Sequence, residues 1–287
     1  MRSSLHAMFV HAHPDDESSK GAATMARYVK EGYRVSVVTC TDGSAGEILN
    51  PAMSLPGIEE RMVEIRASEL ARALEILGVT DHFDLGYRDS GYVESFEGDG
   101  SALPPDCFFN LPIEQPVERL ATIIRRERPD VVATYPENGG YPHPDHVRCH
   151  DVSVRAVEAA ADPAWQPGTF PPWQVRKLYY MGAFNRRRVQ ALHDACAAEG
   201  IESPYGDWLA GWDPEDIDRT TTSIEVGDFI SQRTQALIAH ATQVDPAGLW
   251  FKVPDQRRIY PHEDFILVWS RVDTTPPESS LFAGLED

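Results

Sequence analysis

Apolar residues gather along this chain in two alternating rhythms, and their order predicts the fold class. Short apolar or β-branched runs at 7–11, 34–39, 130–134 and 177–181 read as buried strands. Between them lie stretches whose apolar residues recur every three or four positions, the spacing of one helix face. The first, 18–31, carries Ala22, Met25, Ala26 and Val29 on one face, with Ser18 or Ser19 as N-cap and Gly32 as stop. The second, 58–77, sets Ile58, Met62, Ile65, Leu70, Ala73, Leu74 and Leu77 in a stripe that ends before Gly78. Helices are also expected at 114–126 and 144–161, and a weak strand at 82–85. Strands joined through helices must run parallel. The pattern therefore predicts an α/β fold, a Rossmann-like and mostly parallel sheet flanked by helices.

Past residue 185 the rhythm weakens. Helices are expected near 186–199 and 227–242, around a Trp-containing loop at 207–217, and the residues from about 274 read as an extended tail. Residues 1–180 are expected to form the Rossmann-like core. Residues 181–287 would be a C-terminal elaboration that contributes to the substrate pocket, the whole being one compact unit. A Pro-rich stretch at 163–173 reads as a connector. The stretch 92–111 holds several Gly and Pro residues, and a loop of that length is expected to be functional or mobile.

Composition narrows the function. With 26 basic and 45 acidic residues the net charge is -19, and no basic stripe offers itself to nucleic acid. No stretch approaches the roughly 20 apolar residues of a membrane helix, and the first residues lack the apolar core of a signal peptide. Cys40, Cys107, Cys149 and Cys196 are scattered without a Cys-x-x-Cys pair, which suits reduced thiols in a cytoplasmic protein. Of these, only Cys149, three residues past His146, falls near the candidate chemistry.

That chemistry sits in two polar clusters. Residues 11–17 read His-Ala-His-Pro-Asp-Asp-Glu, at the end of the first strand, and residues 143–146 read His-Pro-Asp-His, beyond the strand at 130–134. In an open parallel sheet, ligands bind past the carboxyl ends of the strands, so the two clusters are expected to be neighbours. His13 and Asp16 from the first and His146 from the second make a two-imidazole, one-carboxylate donor set that suits Zn²⁺, with Fe²⁺ or another divalent ion fitting the same ligands. Asp15 is left over as a general base beside the ion. His143 is placed as an acid or a stabiliser of the oxyanion, and Tyr141 as a further hydrogen-bond donor to it. His11 is expected to pack or to orient the loop, and Asp145 to hold His143. Read alone, the paired aspartates are equally consistent with capping a helix. With the second cluster at the same sheet edge, that reading loses its force.

Together, His-Pro-Asp-Asp-Glu at 13–17 and His-Pro-Asp-His at 143–146 resemble the paired signature of the PIG-L/LmbE-like zinc deacetylases. Within that family, the segments at 11–23, 46–53, 137–146 and 240–243 resemble the subgroup of mycothiol S-conjugate amidases found in actinobacteria. The resemblance implies a Rossmann-like fold, zinc on His13, Asp16 and His146, Asp15 as base, and His143 and Tyr141 at the oxyanion. It implies hydrolysis of a small-molecule mycothiol S-conjugate to a mercapturic acid and glucosaminyl-inositol, in detoxification or in tailoring of a natural product. Glu47, Arg66 and Asp89 match positions where the family holds sugar and inositol hydroxyls. Lys20 matches a lysine of the amidase subgroup and is expected to contact the cysteinyl part, and Gln243 to reach the site from the C-terminal part. Two other functions remain to be weighed: the sister deacetylase acting on N-acetylglucosaminyl-inositol, and a non-catalytic sugar-binding protein with a structural metal.

Overall fold

The first apolar run becomes β1 (His6–His11), buried along its whole length. The computed structural model describes residues 5–286 apart from 94, 95, 97, 98, 166, 167, 183, 214 and 216. Residues 1–4 of the N-terminal segment, and parts of the 92–111 and 163–173 stretches, therefore lie outside the described residues. The other strands are β2 (Arg34–Thr41), β3 (Asp81–Tyr87), β4 (Val131–Thr134), β5 (Lys177–Met181), β6 (Thr222–Glu225) and β7 (His262–Ser270). They form a seven-stranded sheet in the order β3-β2-β1-β4-β5-β7-β6. The pairs among β1 to β5 are parallel, as the sequence pattern predicts, and β7 and β6 extend the sheet antiparallel.

The helices are α1 (Asp16–Ser19), α2 (Ala22–Glu31), α3 (Met62–Leu77), α4 (Glu114–Glu127), α5 (Pro144–Ala161), α6 (Arg186–Ala198), α7 (Gly206–Ala210), α8 (Ile230–Ala239) and α9 (Gln256–Ile259). Of these, α3 packs with α2 and α8, and α4 packs with α5. Both packed groups bury their apolar stripes in one core with the sheet, built around Met8, Phe9, Met25, Leu74, Leu120 and Ile124.

Two expectations fail here for instructive reasons. Residues 18–31 are not one helix. Lys20 is extended and Gly21 takes a left-handed φ of +83, so the chain breaks between α1 and α2. A Cβ at Gly21 would also meet the Phe9 ring at 3.0 Å. Neither Ser18 nor Ser19 caps α2. Its first amides, of Ala23 and Thr24, instead donate to the Glu263 carboxylate of β7 at 3.2 and 2.8 Å. The tail from 274 is also more than an extended strip. Glu278 accepts from Lys177 Nζ at 2.7 Å and Thr222 Oγ1 at 2.8 Å, and Leu281 and Phe282 are fully buried.

His6 ties the opening of β1 to its neighbours. Its amide donates to Asp130 Oδ2 at 3.0 Å, its Nδ1 to the Glu127 carbonyl at 3.2 Å, and its Nε2 accepts from Ser36 Oγ at 2.8 Å. Burial, aided by Arg34, lowers its pKa from 6.5 to about 4. The fold thus favours neutral His6. That contribution is whole above pH 6.5 and is lost as pH falls through about 4. Its size is about 3 kcal/mol. Urea unfolding of His6→Gln is expected to lose less stability over this interval than the parent chain. An unchanged pH slope would contradict it.

Candidate active site

The strand order reverses between β1 and β4, where ligands bind in open α/β sheets. Beyond β1 the chain turns through Asp15, whose φ of +134 is rare for a residue with a side chain, and enters α1. Beyond β4 it runs through Tyr135 and Gly139 to His143, which caps α5 by accepting the Asp145 amide on Nδ1 at 3.1 Å. Gly139, at φ +74, is required by contact: a Cβ there would lie 2.5 Å from the Cβ of His146.

These turns bring His13, Asp16 and His146 together, all buried, with one donor atom of each within 4.8 Å of the others. His13 Nδ1 and His146 Nε2 each lie 3.3 Å from Asp16 Oδ2. The Gly139 carbonyl accepts His146 Nδ1–H at 3.0 Å. This leaves the Nε2 lone pair facing the group, buried and without a hydrogen-bond partner. On the other ligand, Asp145 Oδ2 holds His13 Nε2 at 3.2 Å, and Asp145 is itself fixed by the Ser90 amide at 2.9 Å and by the Ser90 hydroxyl. A carboxylate behind a histidine orients it for a metal.

The electrostatics point the same way. Burial disfavours a charged His13, yet Asp89, Asp145 and Asp16 outweigh it and raise its pKa well above 6.5. Burial also acts against an ionised Asp16, but His146, Lys20 and His13 hold its carboxyl well below the usual range. A buried group of carboxylates around an unsatisfied imidazole nitrogen calls for positive charge, and a divalent ion supplies it. A second combination, His13, Asp89, His143 and Asp145, is equally close. Its carboxylates are already engaged, Asp145 by Ser90 and Asp89 by the Gly91 amide at 2.8 Å. Asp16 is engaged too, by Lys20 and the His13 amide, so what distinguishes the first set is the unpartnered Nε2 of His146.

The remaining candidates take up distinct places. His13, Asp15, Glu47, Arg66, Asp89, Tyr141, His143 and Gln243 line one open cleft of about 430 Å³. Asp15 accepts from Arg66 Nη2 at 3.1 Å, and burial, partly offset by Arg66, raises its pKa. Arg66 is no solvated helix-surface partner. It is 2% exposed and also donates to the carbonyls of Gly43 and Pro14 at 2.9 and 2.6 Å. Gln243 Nε2 reaches the Glu47 carbonyl at 3.1 Å. Burial, with His13 and His146 nearby, lowers the His143 pKa to about 2, so this imidazole is neutral. Since its Nδ1 accepts the Asp145 amide, the ring proton sits on Nε2. Tyr141 lies with its ring 4.4 Å from that of His146.

Four placements differ from, or refine, the sequence reading. Asp145 touches His143 only through its backbone amide, because its carboxylate is turned to His13. Lys20 is absent from the walls of the cleft that holds Asp15; its ammonium donates to Asp16 Oδ1 at 2.7 Å and faces a neighbouring cleft. Cys149 packs against Cys40, Sγ to Sγ 3.8 Å, outside both ligand groups. His11 is buried with Nδ1 3.3 Å from the Tyr135 hydroxyl and belongs to neither group.

Four residues of the site were not assigned from sequence. Tyr135 stacks on His146 at 4.4 Å, and Ser90 fixes Asp145. Glu17 accepts the Asp15 amide at 2.9 Å and pairs with His240 Nε2 at 2.7 Å, both side chains fully buried. Burial opposes ionisation of Glu17, but His240 and Ser18 bring its pKa down to about 2. A glutamate in a stretch expected to be buried requires such a partner, which was the available signal.

A family model described as GlcNAc-PI de-N-acetylase, PIG-L, matches residues 8–157. Over 299 aligned residues the chain is 48% identical to a mycothiol S-conjugate amidase of Streptomyces coelicolor, covering 100% of this chain and 99% of the relative. It is 38% identical to the 1D-myo-inositol 2-acetamido-2-deoxy-alpha-D-glucopyranoside deacetylase of Geodermatophilus obscurus, covering 99% of each. The fold is similar to that of N,N'-diacetylchitobiose deacetylase from Pyrococcus horikoshii, with a TM-score of 0.61, 19% identity, and coverage of 93% of this chain and 85% of that one. The chain belongs to the PIG-L/LmbE family and is a hydrolase of amide bonds.

Proposed function

We propose that the protein is a zinc-dependent amidase that cleaves mycothiol S-conjugates to a mercapturic acid and glucosaminyl-inositol. His13, Asp16 and His146 would hold the ion. When bound, it would act as a Lewis acid on the amide carbonyl and on the attacking water. Asp15, 28% exposed at the cleft, takes the proton from that water. The neutral His143 Nε2–H and the Tyr141 hydroxyl donate to the carbonyl oxygen as it gains charge. The C–N bond then breaks, the acyl carbon keeps the water oxygen as a carboxylate, and the sugar nitrogen leaves as an amine with the proton. Glu17 and His240 clamp the Asp15 amide and so fix the base at its unusual φ.

Glu47, Arg66 and Asp89 supply acceptors and a rigid donor for vicinal hydroxyls of the sugar and inositol. Gln243 closes the same wall. The observation that carries the choice of amidase over deacetylase is Lys20, a buried ammonium beside Asp16 that lines the neighbouring cleft rather than the sugar cleft. A plain acetamide offers it nothing, whereas a cysteinyl acyl group carries an amide carbonyl within reach. Full-length identity of 48% with the amidase against 38% with the deacetylase supports the same reading. The deacetylase remains the second reading, because the sugar cleft serves both substrates equally.

Lys20→Ala tests the choice. Removing an ammonium that pairs with a substrate dipole is expected to lower kcat/KM on a conjugate roughly tenfold more than on N-acetylglucosaminyl-inositol. Equal losses on both substrates would mean that Lys20 serves Asp16 alone.

A further inference from the structure

We propose that the neighbouring cleft, on the Lys20 side of the metal-binding group, is the subsite for the S-substituent of the cysteinyl arm, and that it favours apolar, aromatic thioethers. The inference rests on the amidase reading above and names the part of the substrate that reading leaves unplaced.

This cleft measures about 300 Å³ and contains none of the residues assigned to the sugar. Three of its wall residues nevertheless touch candidate metal ligands. Lys20 Nζ is 2.7 Å from Asp16 Oδ1, the Tyr135 ring lies stacked 4.4 Å from the His146 ring, and the Gly139 carbonyl is 3.0 Å from His146 Nδ1. His146 also contacts Tyr141, a wall residue of the sugar cleft, at 4.4 Å between ring centres. Wall residues of both clefts therefore touch the same group of candidate ligands.

A scissile amide has a nitrogen side and an acyl side, and the two must leave the reacting carbon in different directions. Carboxylates and a guanidinium surround the sugar cleft. Met181, Phe184, Trp212 and Ile217 form an apolar side of the second cleft, whose remaining wall is largely polar, with Lys20, Asn138, Asn185, Arg186, Asp218 and Arg219 among the groups open to the N-acetyl amide. Ile217 is 85% exposed, a large apolar side chain at the cleft. An acetyl group, with one methyl, is too short to use this space. An N-acetylcysteine carrying a benzyl group on sulfur is not. These walls come from the segment after β5 and from the one before β6, which gives the C-terminal residues a role in selecting the acyl group.

The test uses the full-length, zinc-loaded protein and three substrates: S-benzyl and S-methyl mycothiol, and N-acetylglucosaminyl-inositol. Ile217→Asp, at an exposed position where folding is not at risk, is expected to lower kcat/KM on the S-benzyl conjugate roughly 10-fold or more, on the S-methyl conjugate less, and on the acetyl substrate by no more than about twofold. Trp212→Ala should reproduce the order, and inhibition by N-acetyl-S-benzylcysteine should weaken in the same proportion in both variants. If the variants lose all three substrates equally, or lose none, the subsite assignment is overturned while the amidase reading stands. If the unaltered protein cleaves neither conjugate, the amidase reading itself fails and the subsite with it.

Discussion

Replacing Asp15 with asparagine is expected to slow amide hydrolysis about 10³-fold while the protein keeps its metal. Asparagine preserves the shape and can still accept from Arg66 Nη2, now 3.1 Å from Asp15 Oδ2. What it loses is the ability to take a proton. Asp15 is the carboxylate best placed for that step, since Asp16 is committed to Lys20 and the His13 amide, Asp145 to the His13 imidazole and Ser90, and Asp89 to His13, Arg66 and the Gly91 amide. Burial raises its pKa, which makes it a stronger base than a solvated aspartate. The check is kcat on the conjugate together with zinc content by mass spectrometry. A variant that hydrolyses within about tenfold of the parent with its metal in place would remove Asp15 from the base role.

The second large effect is expected at His146. His146→Ala removes a donor whose Nε2 has no hydrogen-bond partner and whose other nitrogen is held by Gly139. Dialysed protein should lose nearly all bound zinc and with it hydrolysis, while remaining folded. Asp145→Asn, which disturbs His13 only from behind, should weaken zinc binding by roughly 10- to 100-fold. That gradient separates a ligand from its support. If His146→Ala bound zinc as tightly as Asp145→Asn, the ion would have to sit on His13, Asp89, His143 and Asp145 instead.

Much of this arrangement was legible in the sequence because its signals are local. The run at 7–11 is apolar on both faces, so it had to be an interior strand, and β1 lies between β2 and β4. The Pro144 start and Val/Ala stripe gave α5 at its observed bounds, Pro144–Ala161. The clustering of His13, Asp16 and His146 followed from two short motifs at strand ends in a parallel sheet, where topology does the work of bringing distant residues together. What stayed hidden depends on partners far along the chain. β7 carries an apolar run at 265–269 that was legible but not assigned, whereas its opening Glu263 and Asp264, both buried, make sense only once Glu263 meets the amides of α2 and Asp264 meets Tyr260 and Asn185. Glu17 and His240 are 223 positions apart. The chain break at Lys20–Gly21, which turns the ammonium onto Asp16, arises from a backbone conformation that no apolar spacing encodes.

The most direct measurement is a zinc titration of the chelator-stripped protein, with hydrolysis of an S-conjugate and of N-acetylglucosaminyl-inositol followed side by side. The account predicts no turnover without metal, a rise that saturates near one ion per chain, and a kcat/KM that favours the conjugate. Full hydrolysis by the stripped protein, or a preference for the acetyl substrate at saturating zinc, would contradict it.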